Sequence, residues 1–149
     1  MTRKNVLFLC TGNSCRSQMA EGWARHFHGD TIEAYSAGIE AHGMNANAMQ
    51  VMKEAGVDIS GQSSKLASSL TDVSLDLVIT VCGHADENCP AFLTKAKVVH
   101  VGFDDPPKLA KEAANEEAAL DCYRRVRDEI REFVRDQLLD ILEENIGEA

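Results

Sequence analysis

Apolar and polar positions alternate in blocks along the chain, and four short apolar runs stand out. They cover residues 6–9, 31–35, 75–81 and 97–101. The first run is unbroken, as expected of a strand that is covered on both faces of a sheet. Helical patterns lie between and after these runs, and strands that alternate with helices are typical of a parallel sheet. We therefore expect an α/β fold: a single domain over residues 1–149, with a doubly wound, four-stranded parallel sheet and helices on both faces.

Three helical regions have clear signals. Residues 17–27 place apolar side chains at intervals of four, and a polar stretch with a glycine follows. Asn45 is a candidate N-cap for a second helix that runs to Ala55, with Gly56 in the position that favours a left-handed backbone. The C-terminal region is predicted to be helical because one apolar stripe runs along it. The members of that stripe are Leu120, Tyr123, Val126, Ile130, Phe133, Leu138 and Ile141.

Other segments have a weaker pattern. Residues 58–71 are rich in serine, with at most one short helix around residues 65–69. Residues 83–96 are predicted to be irregular or weakly helical, and residues 102–107 to form a loop. The chain contains no repeat, linker or low-complexity tract, which agrees with a single domain.

Composition and charge narrow the classes of function. The hydrophobic fraction of 44% and the charged fraction of 26% are those of an ordinary globular protein. The net charge of −9 argues against a nucleic acid or an anionic membrane as partner, because both require a basic face. The apolar run after Arg3-Lys4 is shorter than the ~7–15 residues of a secretory signal, and no stretch approaches the ~20 residues of a transmembrane helix. We therefore expect a cytoplasmic protein.

The chain has five cysteines, an odd and sparse set unlike a secreted disulfide framework. In a reducing cytoplasm, cysteines that serve a function tend to be catalytic, redox-active or metal-bound. We expect Cys15 to pack beneath its loop and Cys122 to belong to the core. The five histidines have no metal-site or triad spacing and are interpreted as surface or strand-end residues. They are His26, His28, His42, His84 and His100.

The strongest motif lies where the first predicted strand meets the first predicted helix. Five residues separate Cys10 from Arg16, and Ser17 follows. A C-x5-R pattern alone occurs by chance, but at a strand-to-helix turn it forms an anion cradle, because free backbone N–H groups converge there. Gly12 and Asn13 can adopt the positive φ that such a turn needs. We expect Cys10 to be a thiolate nucleophile and Arg16 to offer a planar fork to two oxygens of a tetrahedral oxyanion.

The stretch Cys10-Thr11-Gly12-Asn13-Ser14-Cys15-Arg16-Ser17 resembles the signature loop of the low-molecular-weight protein tyrosine phosphatase family. The resemblance implies that Cys10 is the nucleophile, that the loop binds the oxyanion and that Asp105, in Asp105-Pro106, is the general acid. Asp104 is the second candidate for that role. Cys10, Cys82 and Asp105 each follow a predicted strand end, which is where ligands bind in parallel sheets.

Residues 82–90, read as C-G-H-A-D-E-N-C-P, resemble the redox segment of thioredoxin-coupled arsenate reductases with the same fold. The resemblance implies that Cys10 attacks arsenate and that Cys82 then attacks Cys10, releasing arsenite. By the same resemblance, Cys89 then moves the disulfide from Cys10–Cys82 to Cys82–Cys89, and thioredoxin is expected to reduce it with electrons that come from NADPH through thioredoxin reductase. The resemblance further implies a monomer that binds arsenate or similar oxyanions and holds no cofactor or metal.

Several alternatives remain open at this point. The chain could be a low-molecular-weight phosphatase that hydrolyses phosphate monoesters through a phosphocysteine, and even a reductase is expected to have residual phosphatase activity. It could also be a non-catalytic thiol or oxyanion sensor. Cys82 could be a buried strand-end residue and Cys89 a loop thiol. Together with His84 they could bind zinc, although no fourth ligand is evident.

The spacing of Cys82 and Cys89 carries a physical constraint. If residues 82–89 formed one helix, its rise would be about 10.5 Å. A disulfide requires Cα atoms within ~4.4–6.8 Å. We therefore expect oxidation to remodel residues 82–97, whose polar composition suits a segment of low local stability.

A departure from the family concerns a cation site. Some reductases of this family hold a potassium ion near the catalytic loop, with side chains that match Asn13, Glu21, Ser36 and an aspartate. The first three are present, but Lys65 aligns with the aspartate. Its ammonium group could replace the ion, or Lys65 could be a solvated residue in a variable segment. The first alternative predicts activity that does not depend on potassium.

Overall fold

In a computed structural model of the protein, which describes residues 3–146, four parallel strands form one sheet. The strands are β1 (Lys4–Cys10), β2 (Ile32–Gly38), β3 (Leu77–Thr80) and β4 (Lys97–His100). Their spatial order is β2-β1-β3-β4. The apolar run at residues 6–9 of β1 has no exposed surface, as expected of a strand in the middle of such a sheet. The predicted fold class is confirmed.

In the described part of the chain, six α-helices connect or follow these strands. They are α1 (Arg16–His28), α2 (Ala46–Glu54), α3 (Gly83–Glu87), α4 (Pro106–Ala110), α5 (Glu116–Asp136) and α6 (Leu138–Ile146). Two short 3₁₀ helices, Ala67–Leu70 and Ala91–Lys95, occupy the segments with the weaker sequence pattern. Within residues 3–146, no helix combines the length and the apolar character needed to cross a membrane.

The strand order creates a switch point between β1 and β3. The chain leaves β1 through α1 towards β2 on one side, and it leaves β3 through α3 towards β4 on the other. Because such crossovers are right-handed, the two connections lie on opposite faces and a crevice opens between the strand ends. The turn after Cys10 and the turn at Cys82 both line this crevice.

Local signals explain the second helix. The Asn45 side chain accepts a hydrogen bond from the N–H of Ala48 at 3.0 Å, so it is the N-cap of α2. Gly56 follows the helix with φ of +88°, a conformation in which a side chain would be strained. Both predictions are confirmed. The Asn45 amide also donates to the Tyr123 hydroxyl at 3.1 Å, which ties α2 to α5.

Several sequence-based boundaries and one burial prediction were wrong. The second strand was predicted to cover residues 31–35, but β2 continues through residues 36–38. These residues pair in register with Phe8 to Cys10 of β1. β3 is shorter than predicted, and β4 ends one residue earlier. The C-terminal helical region is interrupted after α4 and again at Gln137. Cys122 is half-buried rather than in the core, and its thiol donates to the Ala118 carbonyl one helical turn before.

Candidate active site

The turn between β1 and α1 has its carbonyl groups directed outward. Each carbonyl from Cys10 to Cys15 accepts a hydrogen bond from outside the turn, mostly from the chain that follows β2. Five of the donors are backbone N–H groups, at 2.8 to 3.1 Å. Ile39 donates to the Cys10 carbonyl, Glu40 to that of Thr11, His42 to that of Gly12, Asn45 to that of Ser14, and Met19 to that of Cys15. The Gln18 side chain donates to the Asn13 carbonyl at 3.0 Å.

The N–H groups of the same turn are left for a ligand. Within the described residues, none of the N–H groups of residues 12–15 donates a hydrogen bond. Asn13 has φ of +49°, whereas Gly12 does not need a positive φ. A Cβ on Gly12 would instead lie 2.3 Å from the His42 ring. Free N–H groups before a helix N-terminus are suited to binding an anion.

A chain of hydrogen bonds leads from Lys65 to the Cys10 sulfur. The backbone N–H of Lys65 donates to the side-chain oxygen of Asn13 at 2.8 Å. The side-chain nitrogen of Asn13 therefore faces Ser17. That nitrogen donates to the Ser17 oxygen at 2.8 Å. The Ser17 proton is then free to donate to Cys10 Sγ, which lies 2.8 Å from the hydroxyl oxygen. The buried hydroxyl thus supports negative charge on sulfur.

Arg16 lies at the other end of the turn. Its side chain is 13% exposed, and one guanidinium nitrogen donates to the Phe103 carbonyl at 3.0 Å. The other terminal nitrogen is 3.8 Å from the Asp105 carboxylate. This distance is too long for a hydrogen bond, so the guanidinium keeps donors for an oxyanion.

The two candidate aspartates differ in position. Asp105 lines the cleft over Cys10, and within the described residues its carboxylate does not cap the helix α4 that follows it. Asp104 is exposed and forms an ion pair with Arg125 on α5, at 3.1 Å. The geometry therefore favours Asp105 as the group that reaches a substrate.

A cleft of about 370 Å³ opens over the turn. It is lined by Cys10, Thr11, Gly12, Ser14, Cys15, Arg16, His42, Asn45, Asp105 and Pro107. His42 is exposed, as predicted, but sequence reasoning did not find that it also forms part of the cleft wall. Its ring packs over Gly12, and its Nε2 is 2.9 Å from the Glu40 carboxylate. Only its spacing from the end of β2 could have indicated this.

Cys82 lies beside the turn, across the crevice between β1 and β3. It is 5% exposed, and its sulfur is 3.3 Å from the Thr11 hydroxyl oxygen. The N–H of Ala85 in the first turn of α3 also donates to this sulfur, at 3.4 Å. Cys82 therefore has two donors available and adjoins the turn that holds Cys10.

Cys89 and Cys15 have different surroundings. Cys89 is half-buried beyond the end of α3, and burial, followed by the Asp86 carboxylate, raises the pKa of its thiol. Cys15 is 4% exposed, and burial strongly raises the pKa of its thiol, against the lowering effect of Arg16. The prediction that Cys15 packs within the loop is confirmed.

The cation-site residues do come together. The Ser36 hydroxyl donates to the buried Glu21 carboxylate at 2.6 Å, and the other Glu21 oxygen is 2.7 Å from Arg25. Lys65 Nζ donates to the carbonyls of Ser36 and Ser63, at 3.0 and 2.8 Å. Burial lowers the pKa of Lys65, although the Glu21 carboxylate opposes this effect.

Metal ligands are not grouped in the described part of the chain. Among residues 3–146, no three His, Cys, Asp or Glu side chains are arranged to hold an ion. His84 is exposed and its ring nitrogen lies near the Asn88 amide, at 3.4 Å. The zinc alternative for Cys82, His84 and Cys89 gains no support from this arrangement.

Comparisons with known proteins agree with this geometry. The family model described as low molecular weight phosphotyrosine protein phosphatase matches residues 5–147. The arsenate reductase of Halalkalibacterium halodurans is 51% identical over 135 residues, which covers 91% of this chain and 95% of that protein. The resemblance to arsenate reductases of this fold is confirmed.

Solved structures lead to the same group. An arsenate reductase in the phosphate binding state superimposes with a TM-score of 0.75 and 30% identity, covering 95% of this chain and 98% of that chain. An arsenate reductase in an oxidized state gives a TM-score of 0.76 and 31% identity, covering 93% and 98%.

We predict that Ser17→Ala slows alkylation of Cys10 by iodoacetamide at neutral pH by about tenfold. The variant removes one charge-assisted hydrogen bond, worth about 1.5–3 kcal/mol, from the reacting sulfur. Mass spectrometry of Cys10 peptides gives the rate. Ser14→Ala is the matched control, because Ser14 lines the same cleft but its hydroxyl makes no hydrogen bond to the described residues. Equal rates in the two variants would contradict the assignment of this bond.

Proposed function

The chain belongs to the low molecular weight phosphotyrosine protein phosphatase family, and on that premise we propose that it is an arsenate reductase with a thiol relay. In this relay, electrons pass from Cys82 and Cys89 to arsenate bound at Cys10. The observation that carries the proposal is the position of Cys82, 3.3 Å from the hydroxyl of Thr11 in the oxyanion turn. A hydrolase needs no thiol there.

The first step is nucleophilic attack on the bound oxyanion. The free N–H groups of residues 12–15 and the Arg16 guanidinium bind the arsenate oxygens. Cys10 sulfur attacks arsenic, and an oxygen leaves as water after it takes up protons. Asp105, which lines the cleft, is placed to donate one of them. The product is a covalent Cys10–arsenic(V) adduct.

The second step transfers two electrons. Cys82 sulfur attacks Cys10 sulfur, and a Cys10–Cys82 disulfide forms as the sulfur–arsenic bond breaks. The bonding pair stays on arsenic, which leaves as arsenite in the +3 state. The donors at Thr11 and Ala85 support Cys82 as an anionic nucleophile.

The third step moves the disulfide. Cys89 attacks Cys82, Cys10 is released as a thiol, and a Cys82–Cys89 disulfide remains for thioredoxin to reduce by exchange. Burial, followed by the Asp86 carboxylate, raises the pKa of the Cys89 thiol, which fits its place as the last of the three cysteines to react. α3 separates the two cysteines, and its unwinding in this step would bring Cys89 to Cys82.

A phosphatase is the second candidate function. Cys10, Arg16 and Asp105 suffice for phosphoryl transfer through a phosphocysteine, and phosphate and arsenate are tetrahedral anions of similar shape. The cleft of about 370 Å³ over Cys10 leaves room for the water molecule that such hydrolysis requires. We propose that such hydrolysis is a residual activity. We further propose that the protein works as a monomer in the cytoplasm, where thioredoxin keeps thiols reduced.

Single cysteine substitutions test the relay. Arsenate turnover is followed as NADPH oxidation with thioredoxin and thioredoxin reductase, for the wild type and for Cys10→Ser, Cys82→Ser and Cys89→Ser. All three variants should lose multiple turnover, because each removes one sulfur that the electron path requires. Cys122→Ser is the matched control, since this half-buried thiol on α5 lies outside the cleft.

The same variants separate the two candidate functions. Toward an aryl phosphate, Cys10→Ser should be inactive, while Cys82→Ser and Cys89→Ser should keep activity. Repeated arsenate turnover by Cys89→Ser would contradict the relay. A wild type that hydrolyses the aryl phosphate but never consumes NADPH with arsenate would favour the phosphatase.

Asp105→Asn and Asp104→Asn form a matched pair. We predict that Asp105→Asn lowers kcat for the aryl phosphate by about 10²-fold or more, because proton donation to the leaving group is lost. Asp104→Asn should stay within about twofold, since its carboxylate pairs with Arg125 away from the cleft. Steady-state kinetics of both variants provides the measurement, and the reverse ranking would make Asp104 the acid.

Potassium should not activate the enzyme. The Lys65 ammonium already donates to the carbonyls of Ser36 and Ser63 beside the buried Glu21 carboxylate, where it supplies the positive charge. We predict equal kcat/KM in potassium and sodium salts at constant ionic strength. Lys53→Ala, an exposed lysine on α2, should behave like the wild type, whereas Lys65→Ala should lower kcat/KM. A several-fold rise on adding potassium to the wild type would contradict this role.

A further inference from the structure

A buried threonine links the short helix α3 to the far edge of the sheet. Thr80, the last residue of β3, is fully buried. Its hydroxyl oxygen is 3.1 Å from the Asp86 carboxylate on α3 and 2.9 Å from His100 Nδ1 at the end of β4. None of these three residues lines the cleft over Cys10.

The chemistry of the three groups fixes the direction of the bonds. An ionised carboxylate only accepts, so the Thr80 hydroxyl donates its single proton to Asp86. His100 Nδ1 must then carry a proton and donate to the Thr80 oxygen. The result is a continuous series, His100 to Thr80 to Asp86, which we call the Thr80 latch.

The latch joins α3 to the sheet through side chains. Among the described residues, only one side-chain hydrogen bond joins residues 83–88 to a residue outside the segment 82–89. It is the bond between Asp86 and Thr80. Ala85 is the only buried residue of α3. The remaining side-chain bonds lie within the segment: the Ala85 N–H donates to the Cys82 sulfur, and the Asn88 amide bonds to His84. A five-residue helix held in this way has little other stabilisation.

We propose that Thr80 is a positioning residue whose latch holds α3 in the dithiol state and must open when Cys82 and Cys89 form a disulfide. The inference rests on the proposed relay. Asp86 lies between the two cysteines in the chain, and both are free thiols at the ends of α3, with Cys82 as the N-cap and Cys89 just beyond the C-cap. A disulfide that joins the two ends of this short helix must reshape the segment that the latch holds. The strength of the latch therefore sets the balance between dithiol and disulfide.

The reaction to be measured is thiol–disulfide exchange with a small dithiol. Two thiols, at Cys82 and Cys89, react with oxidised dithiothreitol. One protein disulfide and reduced dithiothreitol form, so that two electrons and two protons move to the reagent. The measurement uses the full chain with Cys10→Ser, so that Cys10 does not compete, and peptide mapping confirms the disulfide.

Thr80→Val tests the latch because it retains the buried shape and removes the hydroxyl. Asp86 and His100 are exposed and can bind water instead, so the variant is not left with buried unpaired groups. We expect the oxidation equilibrium constant to rise about tenfold, equivalent to a potential about 30 mV lower. Amide exchange of residues 83–88 should accelerate in the reduced form and remain unchanged in the oxidised form.

Two further variants make the result specific. Thr71→Val is the matched control, because Thr71 is exposed and its hydroxyl has no partner among residues 3–146. Asp86→Ala should shift the equilibrium in the same direction, and the double variant with Thr80→Val should add little to either. Additive effects would show that Thr80 and Asp86 act independently, which would overturn the latch.

The outcomes distinguish this inference from the proposed function. If the Cys10→Ser protein forms the Cys82–Cys89 disulfide but Thr80→Val leaves both the equilibrium and the amide exchange unchanged, the latch is wrong and the relay stands. Faster exchange without a shifted equilibrium would also overturn it, because the bonds would then be merely structural. If no Cys82–Cys89 disulfide forms under oxidising conditions, the relay fails and the proposed coupling fails with it.

Discussion

The outward direction of the carbonyls between Cys10 and Arg16 is the constraint on which the rest of the structure depends. Six consecutive carbonyls face away from the cleft, and every one of them has a donor. A turn of this kind would be unstable alone, because its N–H groups face one another without partners. The segment after β2 provides most of the donors, so that β2 and its continuation to Asn45 form the support of the site.

This support explains why several side chains around the turn are buried and polar. Asn13, Ser17 and Gln18 have no exposed surface, yet each is hydrogen-bonded. Their bonds fix the backbone of the turn and the orientation of the Asn13 amide. A polar network of this kind is favourable only when all of its members are satisfied. Cys10 is therefore held in place from behind, and its open side remains available to a ligand.

The fold and the position of the turn between β1 and α1 could be predicted because their signals are local. The run at residues 6–9, the cap at Asn45 and the glycine at Gly56 each act within a few positions of the chain. The ends of β2 and β3 could not be predicted, because pairing with β1 decides them. The approach of Cys82 to Thr11 depends on the strand order, which no single segment encodes.

The same distinction applies to the groups that sequence reasoning missed. His42 reaches the cleft because its own N–H supports Gly12, a contact between residues thirty positions apart. His100 and Asp86 meet only through Thr80, from different elements. Cys122 follows an apolar stripe in sequence, but it lies at the edge of the buried face of α5, where the side chain is only partly covered. The periodicity of apolar residues indicates which face of a helix is buried, and packing against the neighbouring elements decides how wide that buried face is.

The net charge of −9 is compatible with the proposed anion site because the positive groups of that site act only at short range. Arginines on the surface are neutralised by neighbours: Arg124 by Glu54, Glu117 and Asp121, and Arg125 by Asp104 and Glu129. Arg16 differs, since among residues 3–146 its only acidic neighbour within ion-pair range, Asp105, is 3.8 Å away. Long-range attraction therefore contributes little, and the protein repels large polyanions. A small tetrahedral anion that enters the cleft meets fixed N–H donors and one guanidinium, which are strong only at contact distance. The proposed preference for a small oxyanion thus rests on where the positive groups lie, rather than on how many the chain contains.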